Sequence, residues 1–479
     1  MQTNREFLGT EPVGRLLFKL ALPTVVAQLI NLLYNVVDRV YIGHIPAVGD
    51  KALTGVGVCM PLIMLVSAFA ALVASGGAPR ASICLGKRDL KTAEQILGGC
   101  FTLQIGISLI LTAVLLIWSR DLLLAFGAST DTIDYAVDYM RVYACGTLFV
   151  QLTLGMNAFI SAQGFTGTAM LSVSIGAVAN TVLDPIFIYA LDMGVKGAAL
   201  ATVISQVASC VWVLSFLCGK KTHLRIRRQN FFVSPRILLP CIALGTATFM
   251  MQASESIISI CFNSSLQTYG GDLAVGTMTI LSSVMQFAML PMQGFAQGAQ
   301  PLIGYNYGAR NADRVKATFR LLLTVCLTYS VAVWCAVMLA PRFFGTLFTD
   351  QAALLDSVAK HLPVYYCGML LFGVQIACQM TFVSLGKAAS SVIVAVVRKF
   401  VLLLPLIYIV PHLVPDPTVG VFLAEPLADV AAVTFTSVLF FFRFRRALRD
   451  LTPTEPQTLS AAPADPSADP FAPSDHSAL

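Results

Sequence analysis

Windows of about 20 apolar residues recur along most of this chain, and each is long enough to cross a bilayer. No other feature restricts the fold as strongly. A backbone exposed to lipid must satisfy its own hydrogen bonds, so such windows become helices. Charged residues make up only 12% of the chain and hydrophobic residues 57%, whereas a soluble domain is roughly a quarter charged. The sequence is therefore that of an all-α polytopic membrane protein. The polar breaks predict twelve spans, near 17–43, 53–81, 95–118, 137–160, 169–190, 197–218, 236–262, 274–303, 317–340, 358–383, 389–410 and 420–442. The first belongs to a full-length span and not to a cleavable signal peptide. Twelve cysteines lie scattered through the apolar segments without CxxC pairing, which suits packing better than a disulfide framework or a metal site.

Basic residues cluster on alternate connections. One side carries Arg15 and Lys19, Lys87 and Arg88, the run from Lys220 to Arg236, Arg310 to Arg320, Lys387, and Arg443 to Arg449; the other has only Lys51, Arg120, Lys196, Arg342 and Lys360. The positive-inside rule makes the first side cytoplasmic, with both termini there. The net charge of +6 reflects this bias and is no sign of a nucleic-acid partner. The loop "CGKKTHLRIRRQNFFVSPR" (218–236) falls midway and sets topology, with incidental contact to anionic membrane lipids. The expected divisions are a first lobe at 1–218, a basic linker at 219–235, a second lobe at 236–450 and a disordered tail at 451–479, rich in Pro, Ala, Ser and Asp.

The lobes resemble each other at a constant shift of 222 residues. "ALPT" (21–24) matches "ALGT" (243–246), and "VYACGTL" (142–148) matches "VYYCGML" (364–370). Gly76, Pro79, Gly86, Arg88 and Gly164 match Gly298, Pro301, Gly308, Arg310 and Gly386. Six spans per repeat make the repeats parallel, with pseudo-symmetry about the membrane normal. Two such lobes around a central cavity support alternating access in transporters.

In the first span Gln28, Asn31, Tyr34, Asn35 and Asp38 recur every three or four residues and share one helical face. Interhelical hydrogen bonding would explain the amides. An intramembrane carboxylate is a functional hypothesis by default. The fifth span carries "VANTVLDPIFIY" (178–189), with Asn180 and Asp184 one turn apart and Pro185 disturbing the preceding turn. The sixth adds Thr202 and, one turn further in, Gln206. A rise of about 1.5 Å per residue puts Asp38, Asp184 and Thr202 at similar depth. Three helices thus bring hard oxygens together, suited to a proton or a small hard cation such as Na⁺. Two close carboxylates would share one proton.

The second lobe does not copy this set: Ile260 and Leu406 occupy the positions equivalent to Asp38 and Asp184. Its seventh span places Gln252, Glu255, Ser256, Ser259 and Asn263 along one face, and its eleventh has Arg398 and Lys399 near mid-membrane. Glu255 either balances one of those cations or contacts a cationic substrate. The eighth span presents Met285, Gln286, Phe287 and Met289, which suit either ordinary packing or a surface that accepts many ligands.

These residues resemble the multidrug and toxic compound extrusion (MATE) family over about residues 10–445. The most specific pieces are "ALPTVVAQLINLLYNVVDRVYIG" (21–43), "NTVLDPIFI" (180–188) and "QGAQPLIGYNYGARNADRV" (297–315), the last similar to the MepA-like bacterial branch. The resemblance implies two six-helix lobes in a V and a bacterial cytoplasmic membrane. It also implies secondary active efflux of hydrophobic organic cations in exchange for H⁺ or Na⁺, with no other cofactor, by a monomer. The family's first-lobe cation site maps onto Asp38, Asn180, Asp184 and Thr202. Some branches carry acids in the tenth helix, where this chain has Gln375 and Gln379. That departure puts coupling by the second lobe in doubt. The alternative is a flippase for lipid-linked substrates, which would want a strongly basic cavity. Catalysis is disfavoured, since no HExxH, Walker A or intramembrane Ser/His pattern is present.

Overall fold

The computed structural model describes residues 7–45, 49–126 and 128–451, and is almost entirely helical. Of the expected tail at 451–479, all but Leu451 lies outside the described residues. Among the described residues, eleven helices are long and apolar enough to cross a membrane. The first six are α1 (Val13–Gly43), α2 (Lys51–Gly86), α3 (Leu90–Ala125), α4 (Ile133–Ala162), α5 (Thr166–Ala190) and α6 (Gly194–Cys218). The next runs Pro235–Gly308 over 74 residues and is broken at Gly271, whose φ of 62° and ψ of −161° are open to glycine alone. It supplies two passes, α7 (235–270) and α8 (272–308). Then follow α9 (Ala312–Leu339), α10 (Ala352–Ser384), α11 (Ala388–His412) and α12 (Pro417–Arg449). Twelve passes result. Most outrun their apolar windows because polar flanking turns stay helical when capped, as at Asp89, whose carboxylate accepts from the Thr92 N–H at 3.0 Å.

The sequence repeat is also a repeat of backbone geometry. Arg88 and Arg310, 222 residues apart, are both left-handed (φ 62° and 58°), as are Gly164 and Gly386 (φ 87° and 68°). Asp89 and Asn311 cap α3 and α9 with nearly the same dihedrals. The halves α1–α6 and α7–α12 are thus two copies of one chain path.

Small residues let the halves touch at the end that carries the basic connections. A Cβ on Gly86 would collide with the Tyr305 carbonyl, and one on Gly308 with the Ile83 carbonyl. These are repeat-equivalent contacts between α2 and α8. Gly76 lies against Cys241 of α7 in the same way, and Gly298 against Ala21 of α1. Thr24 donates to the Gly294 carbonyl (2.7 Å), and the Phe69 ring meets Phe249 at a tilt near the helix midpoints (centroids 5.0 Å). Beyond those midpoints α1 exposes Asn31 and Asn35, and α7 exposes Gln252, Glu255, Ser259 and Asn263. Exposed polar stripes at membrane depth must face water or protein, so a polar cleft opens between the halves toward the far end.

The basic linker folds back on the first half. One oxygen, Oε1 of Gln163, accepts from Thr222 Oγ1, the His223 N–H and the Leu224 N–H at 2.7–2.9 Å. Arg227 pairs with Glu94 at 3.1 Å.

Candidate functional site

Helix α1 delivers Asp38, α5 delivers Asn180 and Asp184, and α6 delivers Thr202; all four side chains are buried. Asn180 Nδ2 donates to Asp184 Oδ1 at 3.3 Å and to Thr202 Oγ1 at 3.4 Å. The Asp38 and Asp184 carboxyl groups lie within hydrogen-bonding reach of each other. Three buried oxygens remain without a hydrogen-bond partner: Asp38 Oδ1, Asn180 Oδ1 and Asp184 Oδ2. No ion pair to either carboxylate is formed among the described residues. Two adjacent carboxylates in a poorly solvated site cannot both stay ionised without a counter-charge. The arrangement can hold one proton between them or one small hard cation on the free oxygens. An oxygen-only set is unsuited to softer metals.

Local chemistry explains the placement. Asn180 and Asp184 are one helical turn apart. Pro185 lacks an N–H, and the segment Ile186–Ala190 that follows winds as a π-turn, a distortion that recurs at functional sites. Three tyrosines close the site. Tyr34 of α1 faces both carboxylates, Tyr139 of α4 lies beside Thr202, and Tyr143 stacks on Tyr139 at 6.3 Å. The two α4 tyrosines were not legible as site residues, although Tyr135, Tyr139 and Tyr143 recur every four residues and mark one aromatic face.

The remaining candidates are dispersed. Gln28 bonds to Gln297 across the halves at 3.1 Å, and Asn31 and Asn35 are exposed toward the cleft. Gln206 is partly buried, with Oε1 unpartnered. In α8, Gln286 and Phe287 are exposed, and Phe287 meets Phe348 edge-on. Met285 packs against the second-half core and Met289 lies within it.

The second half holds a different constellation. Glu255 of α7 accepts from Lys399 Nζ of α11 at 2.9 Å. The neighbouring Arg398 pairs with Asp429 at 2.9 Å and Glu425 at 3.5 Å, both on α12, and lies over the Phe372 ring at 4.5 Å. Residues 397–403 of α11 form a π-helical turn. Glu425 and Asp429 passed unnoticed in the sequence. Their i,i+4 spacing across Pro426, opposite two mid-membrane cations, was the available signal.

Comparison with known proteins bears on the family and the fold. The MatE family profile matches residues 23–186 and 247–409, one block in each half. The chain is 23% identical over 435 residues to Multidrug export protein MepA of Staphylococcus aureus (strain NCTC 8325 / PS 47), covering 90% of this chain and 95% of that one. It is also 23% identical over 393 residues to the protein of the same name from Staphylococcus haemolyticus (strain JCSC1435), covering 82% and 86%. Among solved structures, a MATE in complex with MaD3S superposes with a TM-score of 0.86 at 24% identity, covering 93% of this chain and 99% of that one. A multidrug resistance MATE family transporter of the MOP superfamily, in an outward-facing conformation, gives 0.86 at 24% identity, with 94% and 99% covered. The chain belongs to the MatE family of membrane transporters.

Proposed function

We propose that this transporter is a secondary active antiporter that exports hydrophobic organic cations in exchange for H⁺ or Na⁺. One observation carries the reading: two buried carboxylates, Asp38 and Asp184, meet between helices of one half with three buried oxygens left unpartnered around them. Such a site gains free energy on taking up a proton or a small cation, and that gain can favour one arrangement of the halves over another. Asp38, Asn180, Asp184 and Thr202 are the coupling residues, and Na⁺, where it is the coupling ion, would sit on their oxygens. The cleft stripe of Gln28, Asn31, Tyr34 and Asn35, with Gln206 and Glu255, meets the exported cation. The α8 residues Met285, Gln286, Phe287 and Met289 shape the second wall. The relatives' designation as multidrug export proteins supports the export reading.

The basic end is cytoplasmic by the positive-inside rule. In that orientation the polar cleft opens outward, and both termini lie inside the bacterial cytoplasmic membrane. The protein works as a monomer with no resident cofactor. A flippase reading loses force because Arg398 and Lys399 are engaged by Glu425, Asp429 and Glu255 and do not present a basic cavity.

The test is dye efflux from proteoliposomes under a pH gradient or a Na⁺ gradient imposed separately. Asp38→Asn and Asp184→Asn should each reduce gradient-driven transport by at least tenfold, about 1.4 kcal/mol of lost driving interaction. The gradient that drives the wild type identifies the ion. Undiminished transport by both variants would refute the site, and lipid scrambling in place of dye efflux would favour the flippase.

A further inference from the structure

The second half contains three carboxylates and two cations within a small volume: Glu255, Glu425 and Asp429 against Arg398 and Lys399. The members differ in access. The side chains of Arg398, Glu425, Asp429 and Lys399 are 8%, 9%, 2% and 5% exposed, whereas that of Glu255 is 56% exposed. Glu255 lies on the polar face of α7 that borders the cleft. Lys399 therefore reaches out of the helix packing to neutralise a carboxylate that the cleft can also reach. Arg398 sits tightly on Asp429, but its contact to Glu425 is long, at 3.5 Å. Glu425 is thus the least satisfied anion of the group, and Lys399 is close enough to act on it electrostatically.

Two further features fit movement of the ammonium between these acceptors. Lys399 lies in the π-helical turn 397–403, a distortion of the regular helix that recurs at functional sites. Gln375 of α10 is 1% exposed, and neither its Oε1 nor its Nε2 has a partner. It stands on one face of α10 between Phe372, which covers Arg398, and Gln379, which bonds Met251 one turn from Glu255. A buried amide without partners marks a place where the packing can take up a polar group on rearrangement.

We infer that Glu255 is a subsite for the charged group of an organic cation, occupied in the empty transporter by Lys399 as a tethered competitor, and that Glu425 receives Lys399 when the substrate displaces it. The exchange takes the cluster from three carboxylates against two cations to three against three: the arriving cation pairs with Glu255, and the under-compensated Glu425 becomes paired with Lys399. A neutral molecule of the same shape cannot displace Lys399, so the device selects charge and leaves shape to the apolar walls. This inference rests on the reading of the protein as an exporter of organic cations.

The experiment is equilibrium binding of tetraphenylphosphonium to purified full-length protein in nanodiscs, with tetraphenylborate as an anion of like shape. A site held closed most of the time binds more weakly in proportion to its open fraction, so Lys399→Met should tighten tetraphenylphosphonium binding by about tenfold. Lys399→Gln should do the same, while Lys399→Arg, which keeps a competitor, should stay within about twofold of wild type. Adding Glu255→Gln to Lys399→Met should abolish the gain. Glu425→Gln alone should weaken binding, because the displaced ammonium has nowhere to go. Tetraphenylborate binding should not tighten in any of these variants. Equal or weaker cation binding by folded Lys399→Met and Lys399→Gln, checked by thermal melting, overturns the exchange even if gradient-driven transport persists. Wild-type protein that neither binds the cation nor transports dye under any gradient overturns the export reading instead.

Discussion

The two halves share a backbone down to their left-handed residues and helix caps, yet they treat buried charge in opposite ways. In the first, Asp38 and Asp184 face each other with no cation paired to them among the described residues, and three oxygens stay unsatisfied. In the second, every cation has a carboxylate, and only Glu425 is poorly served. The first arrangement is costly until something positive arrives; the second is largely self-contained. A duplicated fold can therefore carry buried charge in two ways, one half leaving its carboxylates without a counter-charge and the other pairing them internally. The distortions follow the same division. The π-turn of the first half adjoins Asp184, whereas that of the second contains Arg398 and Lys399, and the two positions are not repeat-equivalent.

The strongest way to break this contrast is to remove one carboxylate from each half and compare stability with transport. Asp429→Ala strands a buried guanidinium, which typically costs about 3–5 kcal/mol. It should lower the melting temperature sharply. Asp184→Asn removes a charge from a pair that has no counter-ion, so melting should be unchanged or raised while gradient-driven efflux is lost. Equal destabilisation by the two substitutions would show that the halves do not differ in this way.

The sequence made the helix count, the repeat and the first-half cluster of polar side chains legible for one physical reason. Polar residues in a membrane helix stand out against an apolar background, and Asp38, Asn180 and Asp184 fall on recognisable helical faces. Partner choice was harder to read. Whether Glu255 balances a cation could not be decided until α7 and α11 were placed side by side, because Lys399 lies 144 residues further along the chain. Glu425 and Asp429 were missed because α12 was read only for length and hydropathy. The linker was read for its charge, whereas three of its hydrogen bonds converge on one amide, Gln163, that no charge pattern reveals. The break at Gly271 was anticipated as a gap between two apolar windows, but not as one residue within a continuous helical run.

A second test concerns how alike the halves are where they touch. Gly76 and Gly298 are repeat-equivalent, and a Cβ on either would strike the opposite half. Overpacking of this kind costs about 1–3 kcal/mol, and it is relieved if the halves separate at the basic end. Gly76→Ala and Gly298→Ala should each shift the population toward a state open at that end, read as a longer spin-label distance between α2 and α8. If only one of them shifts the distance, the contacts between the halves are not energetically symmetric.

The smallest effect separates two caps that the repeat makes equivalent in geometry but not in chemistry. Asp89 accepts from the Thr92 N–H at 3.0 Å and Asn311 from the Arg314 N–H at 3.1 Å. Replacing either by Ala should cost about 1 kcal/mol. Only Asp89 titrates, and its bonds to Thr92 hold its carboxyl below the ordinary carboxylate range. A depressed folded value means that the cap contributes fully above the unfolded carboxylate pKa of about 4 and is lost as pH falls through the folded value. Exposure to water keeps the titrating part of this contribution small. Melting curves of Asp89→Ala and wild type should therefore converge in acid, while the deficit of Asn311→Ala persists. Parallel behaviour of the two variants would mean that the Asp89 charge adds nothing beyond a neutral hydrogen-bond acceptor, and that this difference between the halves has no energetic consequence.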